Sequence, residues 1–192
     1  IFFRGSFVMP DLIIHEKKGF SSDSFKVKDT SGQIIYEGKA KAFSYSDKLA
    51  LLDAGGNPVY RLQRSTGRSR ECWKVYDASG ATVLYSVRFK MDWQPRALVY
   101  SGDPEFKLFS SKTKDGTQPM WDMSANKAWS DRKLNIRSAA DGRLVAESKE
   151  NRWNLGGLVG QNEYGVSVAE GADAALVCVL IMMMDESAEN NS

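Results

Sequence analysis

Residues 174–184, Ala-Ala-Leu-Val-Cys-Val-Leu-Ile-Met-Met-Met, contain no polar side chain. A segment with no polar face must be buried on every side. As a helix it would span about 16 Å, and a membrane crossing needs about 20 apolar residues. Val and Ile leave a buried strand as the alternative. Ala, Leu and the Met run favour a helix, and Asp173 stands where an N-cap belongs. The expectation is one hydrophobic helix plugged into a shell made by the residues before it.

That shell reads as β-hairpins. Phe25-Lys26-Val27-Lys28-Asp29 leads through Gly32 to Ile34-Ile35-Tyr36; Leu49-Ala50-Leu51-Leu52-Asp53 leads through Gly56 to Val59-Tyr60-Arg61-Leu62; Trp73-Lys74-Val75-Tyr76-Asp77 leads through Gly80 to Val83-Leu84-Tyr85. The three aspartates are each 24 residues apart. In each Asp-x-x-Gly, the Asp side chain caps a type I turn and the Gly takes the positive φ that returns the chain as a bulged hairpin. A calcium loop would need further carboxylates that no unit carries. Leu134-Asn135-Ile136-Arg137 with Asp141-Gly142 repeats the pattern, Phe106-Lys107-Leu108-Phe109 and residues 117–121 flank Asp115-Gly116, and Val166-Ser167-Val168 precedes the helix. Some dozen strand candidates at even spacing predict an all-β barrel or sandwich. Phe25 with Val27, Leu49 with Leu51, Trp73 with Val75 and Leu134 with Ile136 are each two apart, so each pair shares a face, here the inner one. Closure around the helix would also remove exposed strand edges. The 192 residues form a single domain on this reading, with residues 186–192 a polar, disordered tail.

Two cysteines, Cys72 and Cys178, are too few for a disulfide framework and read as buried free thiols in a reducing compartment, which places the chain in the cytoplasm, peripheral to membrane at most. The opening run Ile1-Phe2-Phe3 is broken by Arg4 and Gly5, so no signal peptide is expected.

The segment Leu51-Leu52-Asp53-Ala54-Gly55-Gly56-Asn57-Pro58-Val59 resembles a turn motif of the LURP-one-related proteins, members of the Tubby C-terminal-like superfamily. A longer and more specific match is Leu158-Val159-Gly160-Gln161-Asn162-Glu163-Tyr164, followed by Val166-Ser167-Val168, Gly171, Asp173 and the apolar stretch up to Asp185. The resemblance implies a closed antiparallel barrel of about twelve strands around a central C-terminal helix. Tubby proteins of that fold bind phosphoinositide headgroups, and phospholipid scramblases share it. Fold kinship does not carry function with it, and the Cys-rich and Pro-rich segments of scramblases are missing here.

Nothing points to catalysis. The one histidine, His15, has no Cys or Ser motif beside it, and a general base needs an orienting partner. No phosphate loop, dinucleotide fingerprint or metal-spaced Cys/His set is present, so neither cofactor nor metal is expected. Gly55-Gly56 and Gly156-Gly157 are explained by turns, and Asp92, Asp103 and Asp122 are carboxylates whose proximity sequence does not fix.

Charge is the strongest local signal. Arg61, Arg64, Arg68, Arg70 and Lys74 face a single acid, Glu71, across residues 61–74, and residues 63–70 read as a strand-to-strand loop; Lys39 and Lys41 add a basic strip. Such residues suit phosphate and anionic lipid, although a net charge of only +2 also fits a solvated barrel face. Trp73, Trp93, Trp121, Trp129 and Trp153 are not interleaved with these cations, which argues against nucleic acid. Trp121 and Trp129 are expected to cover one end of the barrel or to line a small apolar pocket. The expected function is a non-enzymatic binding or tethering module that contacts phosphoinositide or anionic membrane through the basic patch. The alternatives are a soluble scaffold that binds a protein partner and no lipid, and a small-ligand carrier with a cavity beside the helix.

Overall fold

A computed structural model gives the architecture; it describes residues 11–17, 24–40, 48–65, 71–90, 96–107, 110–125, 133–150 and 161–189. Twelve strands follow one another in the order Asp11–Lys17 (β1), Ser24–Lys28 (β2), Ile34–Ala40 (β3), Lys48–Asp53 (β4), Pro58–Ser65 (β5), Cys72–Tyr76 (β6), Val83–Lys90 (β7), Arg96–Ser101 (β8), Trp121–Ala125 (β9), Leu134–Ser138 (β10), Leu144–Glu150 (β11) and Gln161–Val168 (β12). Every neighbour pair is antiparallel, and β1 closes the ring on β12 with Asp11 opposite Ser167. Among the described residues one helix, Ala174–Glu189 (α1), follows.

Eight strands make a barrel that side chains alone can fill; twelve leave room for a helix about 10 Å wide. Here α1 fills it. Residues 175–181 are buried on every face, as are Met183 and Met184. They form one cluster with the inward residues of the strands, among them Ile14, Val27, Leu51, Val75, Val99, Met123, Ile136 and Val166. The expected inward pairs are there: Phe25, Val27, Leu51, Trp73, Val75, Leu134 and Ile136 are buried and Leu49 half-buried against the cluster. Asp173 caps the helix by accepting from the Leu176 amide at 2.9 Å. Its other carboxylate oxygen accepts from the Tyr60 hydroxyl, which ties the helix start to β5. Burial, then Asp173, pushes the Tyr60 phenol well above its ordinary value.

The Asp-x-x-Gly units are hairpin turns. Gly32, Gly56 and Gly80 have φ of 84°, 81° and 80°, and a register shift sits beside each turn, at Val27/Lys28, Leu51/Leu52 and Val75/Tyr76. At Asp77, Oδ1 accepts from the Ser79 hydroxyl at 2.7 Å and from the amides of Gly80 and Ala81 at 2.8 and 3.1 Å. The Ser79 hydroxyl, and then the turn amides, hold this carboxyl down at about 2. The Ser138 hydroxyl, and then Arg143, do the same for Asp141, and Asp29, Asp53 and Asp115 are lowered too. A carboxyl whose folded pKa lies below its unfolded value of 3.8 stabilises the fold above that pH, and the stabilisation is lost as pH falls through the folded value. Thermal melts should therefore drop steeply between about pH 4 and pH 2. Asp77→Asn, which keeps the acceptor oxygen and removes the charge, should make that drop shallower; an unchanged pH profile would show that this turn does not contribute to it.

Two expectations are corrected. The helix continues to Glu189, into the segment expected to be a disordered tail. Extending an existing helix is far easier than starting one, and Glu186, Ala188 and Glu189 are good helix formers. The described residues of 102–120 contribute one isolated bridge, Phe106 to Thr113, in place of the expected strands, and β9 begins only at Trp121; Leu108 and Phe109 lie outside the described residues. Gly102, Pro104, Gly116 and Pro119 interrupt any ladder there. The segment instead packs on the outside of β7 and β8. Tyr100 donates to the Ser111 carbonyl at 2.6 Å, Ser86 donates to the Gly102 carbonyl at 2.8 Å, and the Arg88 guanidinium lies 5.1 Å from the Phe106 ring centre.

Candidate functional site

Strand register decides which of the basic residues share a surface. Lys39 on β3 lies opposite Ala50 on β4, Ala50 opposite Arg61 on β5, and Arg61 opposite Tyr76 on β6. Residues directly opposite one another point the same way, so these four form one row. Its neighbours Gly38, Leu51, Leu62 and Val75 are the buried inward residues, so the row faces outward. Gln63 and Lys74, opposite each other, extend the outer face by one rung.

Arg64 does not join them. Strand β5 runs on through Ser65, where a loop from residue 63 was expected, because its ladder with β6 continues to the Ser65–Cys72 pair. Arg64 therefore falls on the inward parity of Leu62, opposite Trp73. It meets Glu71 there at 3.1 Å, and the Trp73 indole donates to the same carboxylate at 3.0 Å. This trio sits at the mouth of the barrel. Lys41, Arg68 and Arg70 lie outside the described residues.

The outward cations differ in their partners. Lys39 reaches Glu37 at 3.2 Å and Lys74 reaches Asp103 at 2.6 Å. Burial tends to lower the Lys74 ammonium, but the hydrogen bond and charge of Asp103 more than offset it, so its pKa is raised. Arg61 donates its Nε to the Ala78 carbonyl at 2.8 Å and faces no carboxylate among the described residues. Beside it the wall is dented. A cleft of about 370 Å³ is lined by Ala50, Arg61, Gln63, Tyr76, Ser79 and Gly80, together with Leu49 and Leu62. Ala50 is short where its row neighbours Lys39, Arg61 and Tyr76 are long, which explains the dent. None of Ala50, Gln63, Tyr76 or Ser79 stands out in the sequence, because only the register brings them to Arg61.

A sequence profile of the LURP-one-related proteins matches residues 10–185. The chain belongs to the LURP-one-related family. Among its relatives, Protein LURP-one-related 10 of Arabidopsis thaliana is 23% identical over 177 residues, covering 91% of this chain and 87% of the relative. Protein LURP-one-related 15 of the same plant is 21% identical over 178 residues, covering 91% of this chain and 77% of the relative. The barrel superposes on the X-ray structure of a protein from Arabidopsis thaliana with a TM-score of 0.65 at 18% identity, covering 95% and 94% of the two chains. That likeness concerns the fold.

Elsewhere in this LURP-one-related barrel the described histidine is paired and both cysteines are buried free thiols. His15 on β1 faces Glu163 on β12, Nδ1 to Oε2 at 3.5 Å. Burial, then Asp173, pushes the Cys178 thiol up to about 12, and burial raises Cys72 against the opposing pull of Arg88. Asp103 is held by Lys74 and Asp122 by the Nε and one terminal nitrogen of Arg96; Asp92 is outside the described residues. Trp121 is half-buried on the inward parity opposite Val99, while Trp93, Trp129 and Trp153 are likewise outside. Among the described residues no group of three or more His, Cys, Asp and Glu could hold a metal, and no helix is long and apolar enough to cross a membrane.

Proposed function

We propose that this LURP-one-related domain is a non-enzymatic tether of the cytoplasm that reversibly contacts anionic membrane, phosphoinositide included, through the outer wall at β3–β6. The observation that supports this reading is the outward row Lys39–Ala50–Arg61, which sets two cations about 10 Å apart, one of them a guanidinium that forms no ion pair among the described residues. A basic residue at an anionic surface contributes about 1 kcal/mol, so two of them change affinity by about ten- to thirty-fold. Sedimentation with phosphatidylserine vesicles, with and without a phosphoinositide and at two salt concentrations, should show binding that falls with salt. Lys39→Ala with Arg61→Ala should weaken it by that factor, and Arg64→Ala, whose side chain is inward, should leave it unchanged. Undiminished pelleting of the double variant would remove the assignment.

A second reading is a soluble scaffold that binds a protein partner and no lipid. It is favoured by the pairing of Lys39 and Lys74 with Glu37 and Asp103, which offsets two of the positive charges on the described part of the wall. A stoichiometric partner recovered equally by wild type and the double variant, with no vesicle binding, would select it.

A further inference from the structure

We propose that the cleft between β4, β5 and the β6–β7 turn binds a small organic monoanion, its carboxylate against Arg61 and its planar apolar body over Ala50 beside Tyr76. The guanidinium is positioned before any ligand arrives. Its Nε is fixed on the Ala78 carbonyl at 2.8 Å, and its stem lies against Gly80, where a Cβ would come within 2.9 Å of Arg61 Cδ. Gly80 thus serves both the positive φ of the turn and the close approach of Arg61. With Nε committed, the two terminal amines remain, and such a fork suits the two oxygens of a carboxylate. Gln63 adds a neutral amide to the same lining.

The surrounding charge selects a monoanion. Glu37 offsets Lys39 and Asp103 offsets Lys74, and within the cleft lining Arg61 supplies the positive charge. Asp77 begins the turn that carries Ser79 and Gly80, and as a carboxylate it opposes a second negative charge nearby. The volume, about 370 Å³, is at the lower end for ligand pockets, which limits the body to about one ring.

The site shares Arg61 with the membrane reading but stands without it. The test is a titration of the full chain at pH 7, followed by amide shifts in ¹H–¹⁵N spectra. Benzoate serves as the planar monoanion, benzyl alcohol as its neutral counterpart and phenyl phosphate as the more highly charged one. Benzoate up to about 10 mM should give saturable shifts at Ala50, Gln63, Ser79 and Gly80. Arg61→Lys, which keeps the charge and loses the fork, should weaken binding at least about fivefold, and Ala50→Leu should abolish it by filling the dent. No saturable shift at those amides, equal binding of benzyl alcohol, tighter binding of phenyl phosphate, or undiminished binding by a folded Ala50→Leu would each overturn the proposal. Lys39 belongs to the membrane row and does not line the cleft, so Lys39→Ala should weaken vesicle pelleting and leave benzoate binding as it was, and the two readings fail separately.

Discussion

Replacing Leu180 with aspartate should leave no cooperatively folded protein. Leu180 is fully buried at mid-helix, with Leu176 a turn before it and Met184 a turn after, both buried as well. Shortening a leucine in such a place to alanine costs about 2–5 kcal/mol. Aspartate adds either an unpaired charge or the cost of keeping the acid protonated in an apolar lumen. The sum is comparable to the roughly 5–15 kcal/mol that holds a domain together. Circular dichroism melts decide the matter, with Leu180→Met, expected to cost less than about 1.5 kcal/mol, as the control. A soluble Leu180→Asp variant melting cooperatively within a few degrees of wild type would mean that the helix is not the core.

The second large effect concerns Gly38, in the middle of β3. Intrinsic preference alone says that alanine here should help, since glycine in a strand costs about 0.5–1 kcal/mol relative to alanine. The geometry says the opposite. Gly38 lies opposite Phe25, whose ring crosses the glycine so closely that a Cβ would stand 2.1 Å from Cε1 and 2.4 Å from Cδ1. Phe25 is itself buried, packed in the core that holds α1, so the ring has little room to retreat. Overpacking costs about 1–3 kcal/mol, and with ring atoms this close the upper part of that range applies; about 1–2 kcal/mol net of the propensity gain should lower Tm by roughly 2–8 °C for a chain of this length. Phe25→Leu in the same molecule should recover part of the loss, measured as a coupling energy in a double-mutant cycle. Gly38→Ala with an unchanged or higher Tm would show that Phe25 does not need the glycine.

What could be read from the sequence was what is decided locally or by simple periodicity. Asp29, Asp53 and Asp77 identify their turns because each aspartate bonds amides within four residues and each partner glycine supplies the conformation. Leu49 with Leu51 and Trp73 with Val75 identify the inner face because a strand alternates. The apolar run of residues 174–184 identifies the rod. The candidate site depended on something else. Arg61 and Arg64 are three apart, which looks close along the chain but puts them on opposite faces once β5 extends to Ser65. Lys39, Ala50, Arg61 and Tyr76 come from four different strands, and only the register of three ladders aligns them. The packing of residues 102–120 over Arg88 likewise depends on contacts between distant segments that no local pattern encodes.

The order of the elements has a consequence for how the molecule is made. The segment that fills the lumen is translated after all twelve strands, and the ring closes between residues 11–17 and 161–168. At about 5–20 residues per second, β1 waits roughly 8–30 s for its partner and for the rod that its inner face covers. During that time the growing chain shows unfilled apolar strand faces to the cell, and the helix that would cover them is still inside the ribosome.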